Sequence, residues 1–346
     1  MLDVFVKFST LRKLRLTAGI GFVAAVLGLL LANLQAGQLN RASSLGGILD
    51  GVLVGGGLAA YHLFVFNGGR SPLFRSLNFV QSLVLNTIAY TVCIIVMRTL
   101  GHALRGLYDH PLRAFEDPLL AETTIIVLVL SMIANFLLQI SDLIGAGDLI
   151  RFVFGRYHQP RTEQRVFLFI DLVSSTSIAE RTGPVPFLRL LDTLYRDMTE
   201  PILRTRAEVY KYVGDEIILT WTARRASVEC LRFMRYLDDM LAARRSFYEA
   251  EFGIFPRFRA ALHGGEVVSG EMGFLKKEIA YMGDVLNTTA RIVEACRKLE
   301  RPFLCSATVL PLLGDISGVS LRSVGRARLR GRAEPIFLFV PEAVAE

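Results

Sequence analysis

Two aspartates sit where apolar stretches of this chain stop. Asp171 closes "VFLFIDL", and Asp215 lies in "VYKYVGDEIILTW" at a Gly-Asp step between two strand-like runs. Gly-Asp alone is ordinary hairpin chemistry, because Gly takes positive φ cheaply and Asp bonds its own backbone. Two carboxylates brought together at neighbouring strand ends do more, since their hard oxygens suit Mg²⁺. Directly after Asp171 the run Ser174, Ser175, Thr176 opens a helix with several candidate caps. The free N–H groups of such a helix start suit a polyphosphate. Metal ligands beside an anion cradle are equipment for phosphoryl transfer.

Five blocks in fixed order, "FIDLVSST", "KYVGDEI", "HGGEVVSGEMG", "YMGDVLNTTAR" and "ARLRGRAEP", span about residues 165 to 340. Together they resemble the class III nucleotidyl cyclase catalytic domain, which makes cyclic AMP or cyclic GMP. The resemblance implies a ferredoxin-like βαββαβ, α+β fold and two Mg²⁺ or Mn²⁺ ions per site. Asp171 and Asp215 would hold these ions with the main-chain carbonyl of Leu172. Asn287 and Arg291, four apart on one helix face, would orient the ribose and neutralise transition-state charge. Arg330 stands where the family uses a basic residue on the terminal phosphates. Lys211 stands where adenylate-selective members carry a Lys for adenine N1, and an ammonium can only donate. Only six of the 39 basic residues are Lys, so Lys211 is not background surface charge. The second purine-reading position falls on Ala280, which leaves the exocyclic amine without a side-chain acceptor and opens the way to relaxed purine selectivity. The resemblance further implies ATP as substrate and a homodimer with shared active sites. Asp171 and Asp215 would come from one chain, and Lys211, Asn287, Arg291 and Arg330 from the other.

The elements that must position these groups alternate irregularly, which reads as α+β with one central sheet. "VFLFIDL" is a buried strand, and Leu188 to Ile202 has amphipathic helical spacing. The Val209–Trp221 hairpin precedes a long Arg-rich helix over Ala226 to Phe252. "FRAALHGGEVVSGEMG" reads as strand, turn and strand, "VLNTTARIVEACRKL" as a helix, and "GRARLRGRAEPIFLFVPE" as two strands around a basic turn. His263 is assigned to structure, because no second ligand has metal-site spacing to it.

A chain of 346 residues has room for two domains, and 52% apolar residues with a mean hydropathy of +0.42 exceed what a soluble protein needs. The excess lies before residue 145. We read residues 1–145 as a transmembrane domain of four helices at about 16–40, 46–69, 77–97 and 123–143. Residues 146–164 read as a juxtamembrane helix and linker, and 165–346 as the cyclase domain. The basic cluster Lys7, Arg12, Lys13 and Arg15 places the amino terminus, and with an even number of crossings the cyclase domain, on the cytoplasmic side of the inner (plasma) membrane. The loop Arg98 to Glu122, external in this scheme, carries three Arg and disagrees mildly. Four scattered Cys suit a reducing compartment. The net charge of +7 is read as membrane-side Arg facing lipid, with no nucleic-acid footprint. Gly47, Gly51 and Gly55 should allow close helix contact, and Ser131, Asn135 and Gln139 should join helices. Rival readings are a diguanylate cyclase, from the likeness of "VGDEI" to that family's signature, and a degenerate nucleotide sensor. Val213, Ile217 and the Asn287–Arg291 pair weigh against the first, and the intact acids against the second.

Overall fold

The computed structural model describes residues 2–36, 41–66, 78–104, scattered positions between 129 and 140, 155–330 and 334–343. The chain divides into two units, Met1–Leu149 and Ile150–Glu346.

The first unit contains helices α1 (Leu2–Ala36), α2 (Arg41–Ala60), which continues as a π-helical turn over Tyr61–Phe66, and α3 (Phe79–Leu104). Among the described residues, Phe79–Gly101 is the helix long and apolar enough to cross a bilayer; Leu14–Leu30 and Ser44–Ala60 are shorter apolar stretches. Most of the fourth predicted window and most of the Arg98–Glu122 loop lie outside the described residues. Gly47, Gly51 and Gly55 face α1 so closely that a Cβ at Gly47 would strike the Gly28 carbonyl oxygen, and one at Gly51 that of Ala24. Small residues there let the helix backbones meet. Asn135 donates to the Leu83 carbonyl (3.2 Å) and so joins two segments, as predicted, whereas Gln139 donates locally to Asn135 one turn away (3.2 Å).

The second unit is built on a sheet whose order is β2-β3-β1-β4-β6-β8-β7, with β5 added to β4. Its strands are β1 (Arg161–Leu172), β2 (Glu208–Val213), β3 (Glu216–Thr222), β4 (Phe258–Met272), β5 (Glu278–Met282), β6 (Phe303–Ser306), β7 (Val319–Ala327) and β8 (Ile336–Ala343). The first four run antiparallel in the order β2-β3-β1-β4, the predicted βαββαβ arrangement. Helices α4 (Ser175–Thr182), α5 (Pro184–Asp197) and α6 (Thr199–Thr205) join β1 to β2, while α7 (Glu229–Ala243) and α8 (Arg245–Phe252) join β3 to β4. Helix α9 (Asp284–Lys298) precedes β6.

Strand periodicity explains why β1 is apolar throughout. Val166, Leu168, Ile170 and Leu172 pack with α5 and α7, whereas Phe167 and Phe169 pack with Val285 of α9. Residues two apart share a face, so a strand covered on both sides has no position for a polar residue until its end. Asp171 is that end.

Two boundaries differ from the sequence reading. Strand β1 starts at Arg161, inside the span read as linker, because its ladder with β4 continues to Arg161↔Ser269. The Arg-rich helix breaks at Arg244 into α7 and α8, since the Arg244 guanidinium turns to bond Asp197, which also accepts from the Tyr248 hydroxyl. That turn buries Tyr248 completely.

Candidate active site

Strand register delivers the acids. Asp171 is opposite Glu216 on β3 and opposite Arg259 on β4. Val213 pairs with Glu216, leaving Gly214 and Asp215 as a two-residue hairpin loop. Gly214 has φ 63°, which glycine adopts without strain at the first turn position. The Tyr195 hydroxyl of α5 donates to the Gly214 carbonyl (3.2 Å), and its ring lies against Tyr212 at 4.5 Å, so the turn is held from outside its own strands.

The register brings Asp171 and the hairpin loop that carries Asp215 to the same end of the sheet. Burial first, and then the Asp215 charge, pushes the Asp171 carboxyl up to about 6, while Arg259 opposes the rise. Burial, followed by the charges of Asp171 and Asp215, pushes Glu216 up to about 7. Three acids thus crowd one strand end.

Asp171 and Leu172 line a cleft of about 470 Å³ together with Ser174, Ser175, Thr176 and Ser177 of the α4 start. Arg259, Val293, Glu294 and Arg297 complete its wall. Ser174 takes the left-handed conformation (φ 60°, ψ 30°), and its side chain makes no capping hydrogen bond. The sequence reading expected a cap here; its absence leaves the first N–H groups of α4 for an anion. A larger hollow of about 800 Å³ shares Arg259 and Arg297 but contains neither Asp171 nor Asp215.

A divalent cation fits this donor set. Two carboxylates crowded at one strand end would be relieved by a doubly charged ion, and the Leu172 carbonyl would supply a third hard oxygen. Among the described residues no three His, Cys, Asp or Glu side chains cluster as a metal cage. The remaining ligands would therefore be phosphate and water, as Mg²⁺ prefers.

Asp215, on the adjoining hairpin loop, and the other predicted residues lie outside the wall of this cleft. Asn287 is exposed and Arg291 half-buried on α9, which starts after Gly283 in an extended positive-φ conformation (φ 151°, ψ 167°). Arg330 is exposed on the turn after β7, and Ala280 is buried in β5. Lys211, on β2, donates to Glu278 of β5 at 2.8 Å. His263 is buried with its Nδ1 2.7 Å from Ser306 Oγ, in line with its structural assignment.

Sequence reasoning did not single out Glu216, Arg259, Tyr195 or Glu278 for the site. Glu216 adjoins Asp215 in "GDEI", and a charged Arg259 opening the apolar "FRAAL" was a readable signal. Tyr195 and Glu278 reach their places through contacts 19 and 67 residues away along the chain.

Residues 157–341, more than half of the chain, match the adenylate and guanylate cyclase catalytic domain family. The chain belongs to that family. Adenylate cyclase 2 of Rhizobium meliloti is 35% identical to this cyclase over 244 residues, covering 68% of this chain and 67% of its own. That match is longer than the catalytic domain and so reaches into the residues before it. The photoactivated adenylate cyclase subunit alpha-like protein FB of Euglena gracilis is 28% identical over 182 residues, 52% of this chain and 18% of that one. The cyclase thus spans a small part of that relative. In structure it is similar to a bacterial light-regulated adenylyl cyclase, with a TM-score of 0.51 at 20% identity over 62% of this chain and 63% of that one, a likeness of fold.

Proposed function

We propose that the protein is a membrane-bound adenylate cyclase that converts ATP to 3′,5′-cyclic AMP and pyrophosphate. The observation that carries this reading is the strand register that sets Asp171 opposite Glu216, next to Asp215 in the hairpin loop, beside the uncapped start of α4. Similarity to an adenylate cyclase of Rhizobium meliloti over two thirds of both chains supports it.

In this reading Asp171, Asp215 and the Leu172 carbonyl hold two Mg²⁺ or Mn²⁺ ions. Bound there, such ions polarise the α-phosphate and acidify the ribose 3′-hydroxyl. The rest is the work of the chain. Main-chain N–H groups at Ser175 and Thr176 receive phosphate oxygens. Asn287 orients the ribose, and Arg291 offsets charge developing at phosphorus. Arg330 binds the terminal phosphates, and Lys211 donates to N1 of adenine. Asp171 and Asp215 serve one site, and Lys211, Asn287, Arg291 and Arg330 serve the other, so two copies of the chain form a homodimer with two equivalent shared sites.

Four helices within residues 1–145 hold the pair in the inner membrane, with the cyclase domain in the cytoplasm. The apolar helix Phe79–Gly101 and the basic cluster Lys7, Arg12, Lys13 and Arg15 support this placement.

The test is turnover by the detergent-solubilised protein with ATP and GTP in Mg²⁺ and in Mn²⁺. Cyclic AMP and pyrophosphate are expected from ATP. A linear dinucleotide from GTP, or no cyclic product with either metal, would overturn the reading.

A further inference from the structure

The position expected to accept from the exocyclic amine of adenine holds Ala280, whose buried methyl group has nothing to offer. Two residues earlier on the same strand stands Glu278. Residues two apart on a strand share a face, spaced about 6.7 Å. The Glu278 side chain therefore stands on the same side as Ala280, and it already meets Lys211: Nζ to Oε1 is 2.8 Å, with both side chains about a third exposed. The pair is fixed from behind. Tyr281 donates its N–H to the Tyr210 hydroxyl (3.3 Å), the two rings lie 4.8 Å apart, and the Lys211 ammonium is 5.4 Å from the Tyr210 ring centre. These contacts bind β5 to β2 at the height of the ion pair.

We infer that Glu278 is the specificity residue that accepts from the 6-amino group of the purine, beside Lys211 at N1. This rests on the adenylate cyclase reading above. The chemistry is one of order along an edge. Adenine presents a donor, the 6-amino group, next to an acceptor, N1. An ionised carboxylate only accepts and an ammonium only donates, so a Glu–Lys pair is its complement. Guanine presents an acceptor at O6 and then donors at N1 and the 2-amino group, which the same two groups could meet only in the opposite order. Lys211 at N1 therefore commits Glu278 to the 6-amino group. The pair also holds its own charges ready, since the Glu278 hydrogen bond raises Lys211 and the Lys211 bond lowers Glu278 from their ordinary values.

The test compares ATP with purine riboside triphosphate, which keeps N1 but lacks the 6-amino group. The wild type should favour ATP in kcat/KM by roughly 10- to 100-fold, the scale of a hydrogen bond to a charged group. Glu278→Ala should lose that preference by lowering ATP alone. Lys211→Ala should lower both nucleotides together and keep their ratio. Glu278→Gln, whose amide oxygen still accepts, should retain most of the preference. The same comparison, made as equilibrium binding of the unreactive 3′-deoxy forms, gives the answer even in a protein that makes no cyclic product, so failure of the activity is told apart from failure of this assignment. An unchanged ratio in Glu278→Ala overturns it, since a residue that only positions Lys211 would lower both nucleotides equally. A wild-type preference for GTP that Glu278→Ala abolishes overturns it as well, by showing the reverse order along the edge.

Discussion

The carboxylate cluster and the Lys211–Glu278 pair both put charge on strands of one sheet, yet they are arranged oppositely. At the strand end beside the cleft, like charges crowd: burial first, and then neighbouring carboxylates, raises Asp171 and Glu216, with Arg259 as the countercharge that eases Asp171. At the pair, opposite charges satisfy each other at 2.8 Å. In the proposed reading the first arrangement awaits a cation, whereas the second is already paired and opens toward a base. Binding power is stored as repulsion in one half and as a preformed donor and acceptor in the other.

The largest effect should come from the crowded half. Asp171→Ala removes a metal ligand from a partly wet site and should lower ATP turnover by about 10³-fold or more, the several kcal/mol that metal coordination supplies. Circular dichroism should show the fold retained. Activity within about tenfold of wild type, a loss of only ~1.4 kcal/mol, would remove Asp171 from the metal site.

The next test uses the separation of the two halves. In the proposed shared-site dimer, Asp215→Ala removes a metal ligand and Arg291→Ala damages the ribose side, so each homodimer lacks a required group in both sites. A heterodimer has one site missing both groups and one missing neither. Half the chains in a random mixture enter heterodimers, each with one of two sites restored, so activity should return to about a quarter of wild type by symmetry. Heterodimers that form but stay silent would mean that each chain builds its site alone.

What was legible in the sequence follows the same division. The cleft depends on local signals: an apolar run that ends in Asp171, a Gly214–Asp215 turn, and a helix start right behind the strand. Each lies within a few residues of its cause, and the structure brings Asp171, Leu172, Asp215 and Ser174 to Thr176 to one strand end. Glu278 carries no such signal, because its importance comes from a residue 67 positions away. The break at Arg244 was hidden for a similar reason. Helical periodicity runs straight through it, and the bond to Asp197, 47 residues earlier, decides where the helix stops. The missing cap at Ser174 is a further case: the residue type favours capping, but its left-handed backbone leaves the helix start uncapped.

The smallest expected effect concerns stability, and it reads the repulsion directly. Asp171 titrates at about 6 and Glu216 at about 7 in the folded protein, above the ordinary 3.8 and 4.5. An acid whose folded value is raised holds its proton more tightly in the fold than in the unfolded chain. Its stabilising contribution is complete below the ordinary value and is lost as pH rises through the folded one. Without divalent cations the cyclase unit should therefore lose stability between about pH 4 and pH 7 through these two groups. Asp171→Asn keeps the shape and removes the charge. At pH 7.5 in chelator it should melt a few degrees above wild type, on the order of 1 kcal/mol for a domain of this size, and the gap should narrow toward pH 5. Mg²⁺ should reverse the ranking at pH 7.5, because only the wild type gains a full ligand set. Trp221 is the single tryptophan of the chain and is fully buried in the cyclase unit, so its fluorescence follows the unfolding of that unit. A variant that melts below wild type in chelator at pH 7.5 would show that the acids support one another through hydrogen bonding more than they repel, and the contrast between the two charged sites would fail.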